Sequence, residues 1–117
     1  PAGDEVLKRV GAVLRESIRD VDFVARYGGE EFFVLMPELM SPGAATLAAR
    51  IRQHLGQQKF VGGPVTLSFG VAEFPANGDT GEALIAAADE ALYEAKRAGR
   101  DRVAVAPAFG PVRAAER

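Results

Sequence analysis

Cysteine and tryptophan are both absent from the 117 residues, and histidine occurs once, at position 54. Without thiols there is no disulfide framework and no thiolate chemistry, which suits a reducing compartment. His54 has no Cys or second His to join it, so neither a zinc site nor a base–nucleophile pair is supported. A surplus of one charge is missing too. Lys and Arg number 14 against 16 Asp and Glu, so bulk attraction implies neither nucleic acid nor an anionic membrane as partner. No apolar run approaches the length of a bilayer span, and no signal-peptide pattern opens the chain. At 48 % apolar residues the chain can still enclose one core. A single soluble domain with a cytoplasmic location is the expectation.

Periodicity lays out seven elements. Asp4 to Arg19 carries Val6, Leu7, Val10, Val13, Leu14 and Ile18 on one helical stripe, with Asp4 placed to cap it. Phe23–Tyr27 and Phe32–Met36 read as strands joined at Gly28-Gly29, because paired glycines reach positive φ without steric cost. Ser41 as cap and Pro42 in the first turn open a helix with the stripe Ala44, Leu47, Ala48, Ile51 and Leu55. Val65–Phe74 alternates as a strand. Asp79 or Thr80 then caps a helix from about Glu82 to Ala98 that uses Leu84, Ile85, Ala88, Leu92 and Ala95. Arg102–Ala106 is a short last strand. The predicted class is α+β, with helices gathered on one sheet face, residues 1–106 as the domain and 107–117 as a flexible tail.

Glu30 and Glu31 stand directly after the glycine turn. Two carboxylates held on a tight turn repel each other, and a bound divalent cation relieves that repulsion. A solvated hairpin tip is the plain alternative.

Gly28-Gly29-Glu30-Glu31-Phe32, preceded by Arg26-Tyr27, resembles the signature of the GGDEF family, the diguanylate cyclases, in its GGEEF form. The likeness continues through Gly3-Asp4-Glu5-Val6-Leu7, Val65–Val71, Ala88–Tyr93 and Lys96-Arg97-Ala98-Gly99-Arg100. It covers the chain from Gly3 to about Ala106. The resemblance implies a palm-like fold related to nucleotidyl cyclases and ferredoxin-like domains, a largely antiparallel sheet backed by helices. It implies condensation of two GTP molecules into cyclic di-GMP by a homodimer, with Mg2+, or alternatively Mn2+, as cofactor.

Residue by residue, Glu30 matches the family's essential carboxylate, a metal ligand also described as a proton acceptor, and Glu31 a second candidate ligand. Gly28 and Gly29 match the backbone that passes close to the nucleotide. Asp4 matches an aspartate that binds the guanine edge, a role a carboxylate suits because it accepts from two adjacent N–H groups; a plain helix cap is the other reading. Lys96 and Arg100 match a triphosphate-binding pair, although cations at a helix C-terminus also complement the dipole. Arg19 and Asp22 form an RxxD with five residues between Asp22 and Gly28, the spacing of the family's inhibitory product site, which Arg50 would complete. Solvated surface charges are the alternative there. Phe32, Phe33, Phe69 and Tyr93 read as core.

The likeness breaks at one end. The family's domain opens with a strand ending in a metal-binding aspartate, then a Phe-Lys pair and a guanine-binding asparagine, and none of these is in the sequence. The expectation is a fragment that does not turn over GTP alone, from a parent with an upstream sensory or receiver domain. Its sheet lacks the family's first strand and keeps an apolar edge open to pairing. A non-catalytic cyclic di-GMP receptor using Arg19, Asp22 and Arg50 is the alternative function, and a palm-like interaction module without nucleotide a third.

Overall fold

The computed structural model describes residues 2–26 and 31–107. Its elements run α1 (Ala2–Ser17), β1 (Phe23–Arg26), β2 (Phe32–Leu35), α2 (Ser41–Gly56), β3 (Phe69–Val71), α3 (Gly81–Arg97) and β4 (Val103–Val105). Gly28, Gly29 and Glu30, and the tail from 108 on, lie outside the described residues.

Helix ends depart from the sequence expectation for identifiable reasons. α1 starts at Ala2, so Asp4 sits inside the first turn, where its charge meets the helix dipole instead of capping the end. It stops at Ser17, whose hydroxyl donates back to Val13 O at 2.7 Å, and the Asp22 N–H closes a turn onto Arg19 O. Arg19 is thereby released from the helix. α2 is capped by Met40, not Ser41; the Ser41 N–H donates instead to the Glu73 carboxylate at 2.7 Å, an oxygen borrowed from the segment after β3. Thr80, rather than Asp79, caps α3, its hydroxyl accepting the Ala83 N–H at 3.1 Å.

The α1 and α2 stripes meet as read. Val10, Val13 and Leu14 interdigitate with Leu47, Ile51 and Leu55, and Phe60 closes the cluster from the loop after α2. β1 pairs antiparallel with β2, Phe23 opposite Leu35 and Arg26 opposite Phe32. β3 pairs parallel with β4, Phe69 opposite Val103 and Val71 opposite Val105. Only three residues of the predicted Val65–Phe74 strand join a ladder; Val65 and Leu67 still pack on the core.

The helices do not share one sheet face. Phe69 packs against the α1–α2 core, whereas its neighbour Gly70 lies against α3, where an added Cβ would collide with the Ala88 carbonyl and the Leu92 amide. Adjacent strand residues point to opposite faces, so α1 and α2 cover one side and α3 the other. A glycine at 70 permits that close approach.

Among the described residues two separate sheets stand where one was expected. Between them runs an apolar slot of about 860 Å³. All of β2 and all of β3 line it, but no residue of β1 or β4, so the slot lies between the two unpaired edges. Leu47 and Ile51 of α2 and Leu84, Ile85 and Leu92 of α3 complete its walls. The slot explains why Leu84, Ile85, Ala88 and Leu92 are only half-buried; of the expected stripe Ala95 is buried, together with Ala87 and Ala91.

Candidate active site

The start of β2 and the end of α3 converge. Glu31, the residue before β2, faces Lys96 in the last turn of α3, with Oε2 and Nζ 3.8 Å apart and both side chains partly exposed. At that distance and exposure the ion pair contributes little to stability, and both groups stay accessible. Among the described residues no group of three or more His, Cys, Asp or Glu gathers around a metal position. Magnesium does not require one: it keeps several waters and is held by one or two carboxylates together with substrate phosphates. Glu31 fits that demand as an accessible hard oxygen donor. Glu30 lies outside the described residues.

Arg100 follows α3 with a left-handed backbone, φ 63°, and its N–H donates to Ala95 O at 2.9 Å. Its exposed guanidinium makes no hydrogen bond or ion pair with another described residue. Asp4 is exposed on α1, and no described hydrogen bond or ion pair links it to Glu31 or Lys96.

Arg19 and Asp22 are brought together closely. Arg19 Nη2 donates to Asp22 Oδ1 at 2.6 Å, Nε to both carboxylate oxygens at 3.1 and 3.0 Å, and the Arg19 backbone N–H to Oδ2 at 2.8 Å. The second Nη2 proton reaches Pro37 O at 2.9 Å. The Asp22 side chain is 0 % exposed. Arg19 holds its carboxyl below the usual range, against the cost of burial, and Asp22 in turn raises the Arg19 guanidinium. Both Asp22 oxygens are already filled, so a guanine can use them only if this lock opens. Arg50 is exposed on α2, and no described hydrogen bond or ion pair joins it to Arg19 or Asp22.

Several features were not read from sequence. Tyr93 is 61 % exposed instead of core, with the Arg97 guanidinium 6.0 Å from its ring centre, because Ala91 and Ala95 take the buried positions of that turn. His54 does have a neighbour: its Nδ1 lies 3.2 Å from Ser17 Oγ and ties α2 to the end of α1. Arg52 grips Asp101 across 49 residues. No local pattern signals such contacts.

Fold and site together define an α+β domain that sets an acidic hairpin against a cationic helix end. The chain belongs to the GGDEF family: the family described as "Diguanylate cyclase, GGDEF domain" matches residues 1–102. It is 46 % identical over 109 residues to diguanylate cyclase DgcP of Pseudomonas aeruginosa, a match covering 90 % of this chain and 16 % of that protein. Among solved structures, the GGDEF domain of YfiN from the same organism superposes with TM-score 0.84 at 35 % identity, over 91 % of this chain and 69 % of that one. The GGDEF domain of DgcB from Caulobacter crescentus, solved in complex with c-di-GMP, gives 0.76 at 33 % identity, over 88 % of this chain and 64 % of that one. The chain therefore spans about a sixth of the curated relative and about two thirds of the solved domains.

Proposed function

We propose that this domain, in its complete polypeptide, condenses two GTP molecules into cyclic di-GMP with release of pyrophosphate. The observation that carries the reading is the meeting of Glu31 with Lys96: a carboxylate at the hairpin tip and a cation at a helix end, both accessible, on one side of the molecule. Lys96 and Arg100 hold the triphosphate tail, and Asp4 accepts from the guanine edge. The 3′-oxygen of each GTP attacks the α-phosphorus of the other in turn, each attack breaks the bond to that β-phosphate, and two pyrophosphates leave. Two copies must face each other for this, since each contributes one nucleotide. Glu30 accepts the hydroxyl proton, and Glu30 with Glu31 would hold magnesium. The metal supplies neutralisation of the phosphate oxygens and of the departing pyrophosphate.

Arg19, Asp22 and Arg50 form the product site on this reading, at which cyclic di-GMP slows the enzyme. An upstream sensory or receiver domain brings the copies together in the cytoplasm. No helix among the described residues is long and apolar enough to cross a membrane. With the slot between β2 and β3 open, the 117-residue chain by itself turns over no GTP.

Calorimetry with a non-hydrolysable GTP analogue plus magnesium, and separately with cyclic di-GMP, tests the assignment. Binding of both supports the enzyme; binding of cyclic di-GMP alone turns the reading to a receptor, and binding of neither to an interaction module. In the complete polypeptide Glu30→Ala is expected to abolish turnover with the fold intact. Arg19→Ala is expected to keep turnover and relieve product inhibition, and unchanged inhibition removes the regulatory assignment.

A further inference from the structure

The segment leaving α3 is held in an unfavourable conformation. Gly99, Arg100 and Asp101 all have positive φ, at 124°, 63° and 50°. Glycine accepts this freely, but for Arg100 and Asp101 the left-handed region is costly and persists only where surroundings impose it. Four bonds impose it here. Arg52 Nε, from α2, donates to both the backbone oxygen and Oδ1 of Asp101, each at 2.8 Å. The Asp101 N–H donates to Ser68 Oγ, just before β3, at 3.1 Å. Arg102 Nε donates to Arg100 O at 3.0 Å.

We infer that Arg52 is a positioning residue for substrate: by clamping Asp101 it fixes the backbone of Arg100 and so aims the Arg100 guanidinium at the phosphates. This rests on the reading of Arg100 as a triphosphate ligand. Arg52 itself need not touch nucleotide, because its Nε donor is spent on Asp101. A guanidinium suits the task, since Nε reaches the carbonyl and carboxylate together while Nη2 lies 3.5 Å from Oδ2. Without the clamp Arg100 relaxes toward ordinary backbone angles and its side chain samples other directions. Substrate binding then suffers, while the reacting groups at the hairpin are unmoved.

The test uses the polypeptide carrying the complete catalytic domain, with GTP as substrate. Arg100→Ala is measured first and is expected to raise KM about ten-fold, the size of one charge-assisted hydrogen bond. Arg52→Gln is expected to raise KM by up to a similar factor with kcat within about two-fold, the mark of lost ground-state binding. In the double variant the Arg52 effect disappears, leaving KM at the Arg100→Ala value. Ser68→Ala removes a different strut and is expected to shift KM the same way by less, which guards against an Arg52 variant that folds poorly. An unchanged KM in Arg100→Ala overturns the substrate reading and this inference with it. A normal Arg100→Ala result with no KM change in Arg52→Gln and Ser68→Ala overturns the inference alone. So does an Arg52 effect that persists in full when Arg100 is absent.

Discussion

The two faces of β3 are built from different materials. On the Phe69 face, branched and aromatic residues of α1, α2 and the following loop fill the interior, and Leu55 is 1 % exposed. On the Gly70 face, α3 approaches through Ala87 and Ala91, while its larger Leu84, Ile85 and Leu92 look into the slot. The contrast teaches that α3 is held mainly by close backbone approach and α2 mainly by side-chain volume.

That difference is easiest to break on the closed side. Leu55→Ala deletes most of a fully enclosed side chain and leaves a void, so a loss of about 2–5 kcal/mol is expected from urea unfolding. A loss below that of an exposed substitution means that the α1–α2 cluster is not the principal core.

Gly70→Ala attacks the other face. Its new Cβ meets α3 backbone, not a flexible side-chain end, so α3 must move off β3. Overpacking of this kind costs about 1–3 kcal/mol. Calorimetric unfolding of this variant beside wild type measures it; equal stability means α3 has room to spare and its close approach is not a constraint.

How much of this was legible beforehand follows from the same contrast. The α2 stripe was read residue for residue, since Ala44, Leu47, Ala48, Ile51 and Leu55 recur at helical spacing and pack locally. For the α3 stripe, period alone cannot distinguish a covered face from one left open, so Leu84, Ile85 and Leu92 look like core in sequence and are half-buried in the fold. Placing α3 on the far side required Gly70, which in sequence is only a glycine in a strand. The pairing of Arg19 with Asp22 was visible as spacing, but the complete filling of Asp22 was not, because it depends on α1 ending at Ser17. Glu31 and Lys96 were each singled out by resemblance; their contact across 65 residues is a result of folding. The Arg52 clamp depends on two non-glycine residues at positive φ, a conformation no composition announces.

Leu84→Ala sharpens the comparison. The same atoms are removed as in Leu55→Ala, yet from a wall that already faces open space, so no new cavity forms. The expected loss is roughly 1 kcal/mol, that of partial apolar burial alone. If an apolar strand occupies the slot in the complete polypeptide, the same substitution there costs more. An equal loss in both contexts means that the slot stays unfilled.

The smallest effect concerns the polar lock at the end of α1. The Arg19 guanidinium and backbone N–H hold the Asp22 carboxyl below its ordinary value of about 3.9 in the folded state. Depression in the folded state means that unfolding takes up protons at acid pH. The lock therefore contributes fully above the ordinary carboxylate range, and the contribution fades as pH falls through the depressed folded value. Arg19 stays charged throughout, so Asp22 alone sets this window. Asp22→Asn keeps the shape but removes the titration. The wild-type lead in urea midpoint is expected to be steady from neutral pH down to about pH 5 and to shrink below about pH 4. A lead that is unchanged at acid pH shows that the carboxylate's charge contributes nothing there, and that Asp22 serves by its hydrogen-bonding shape alone.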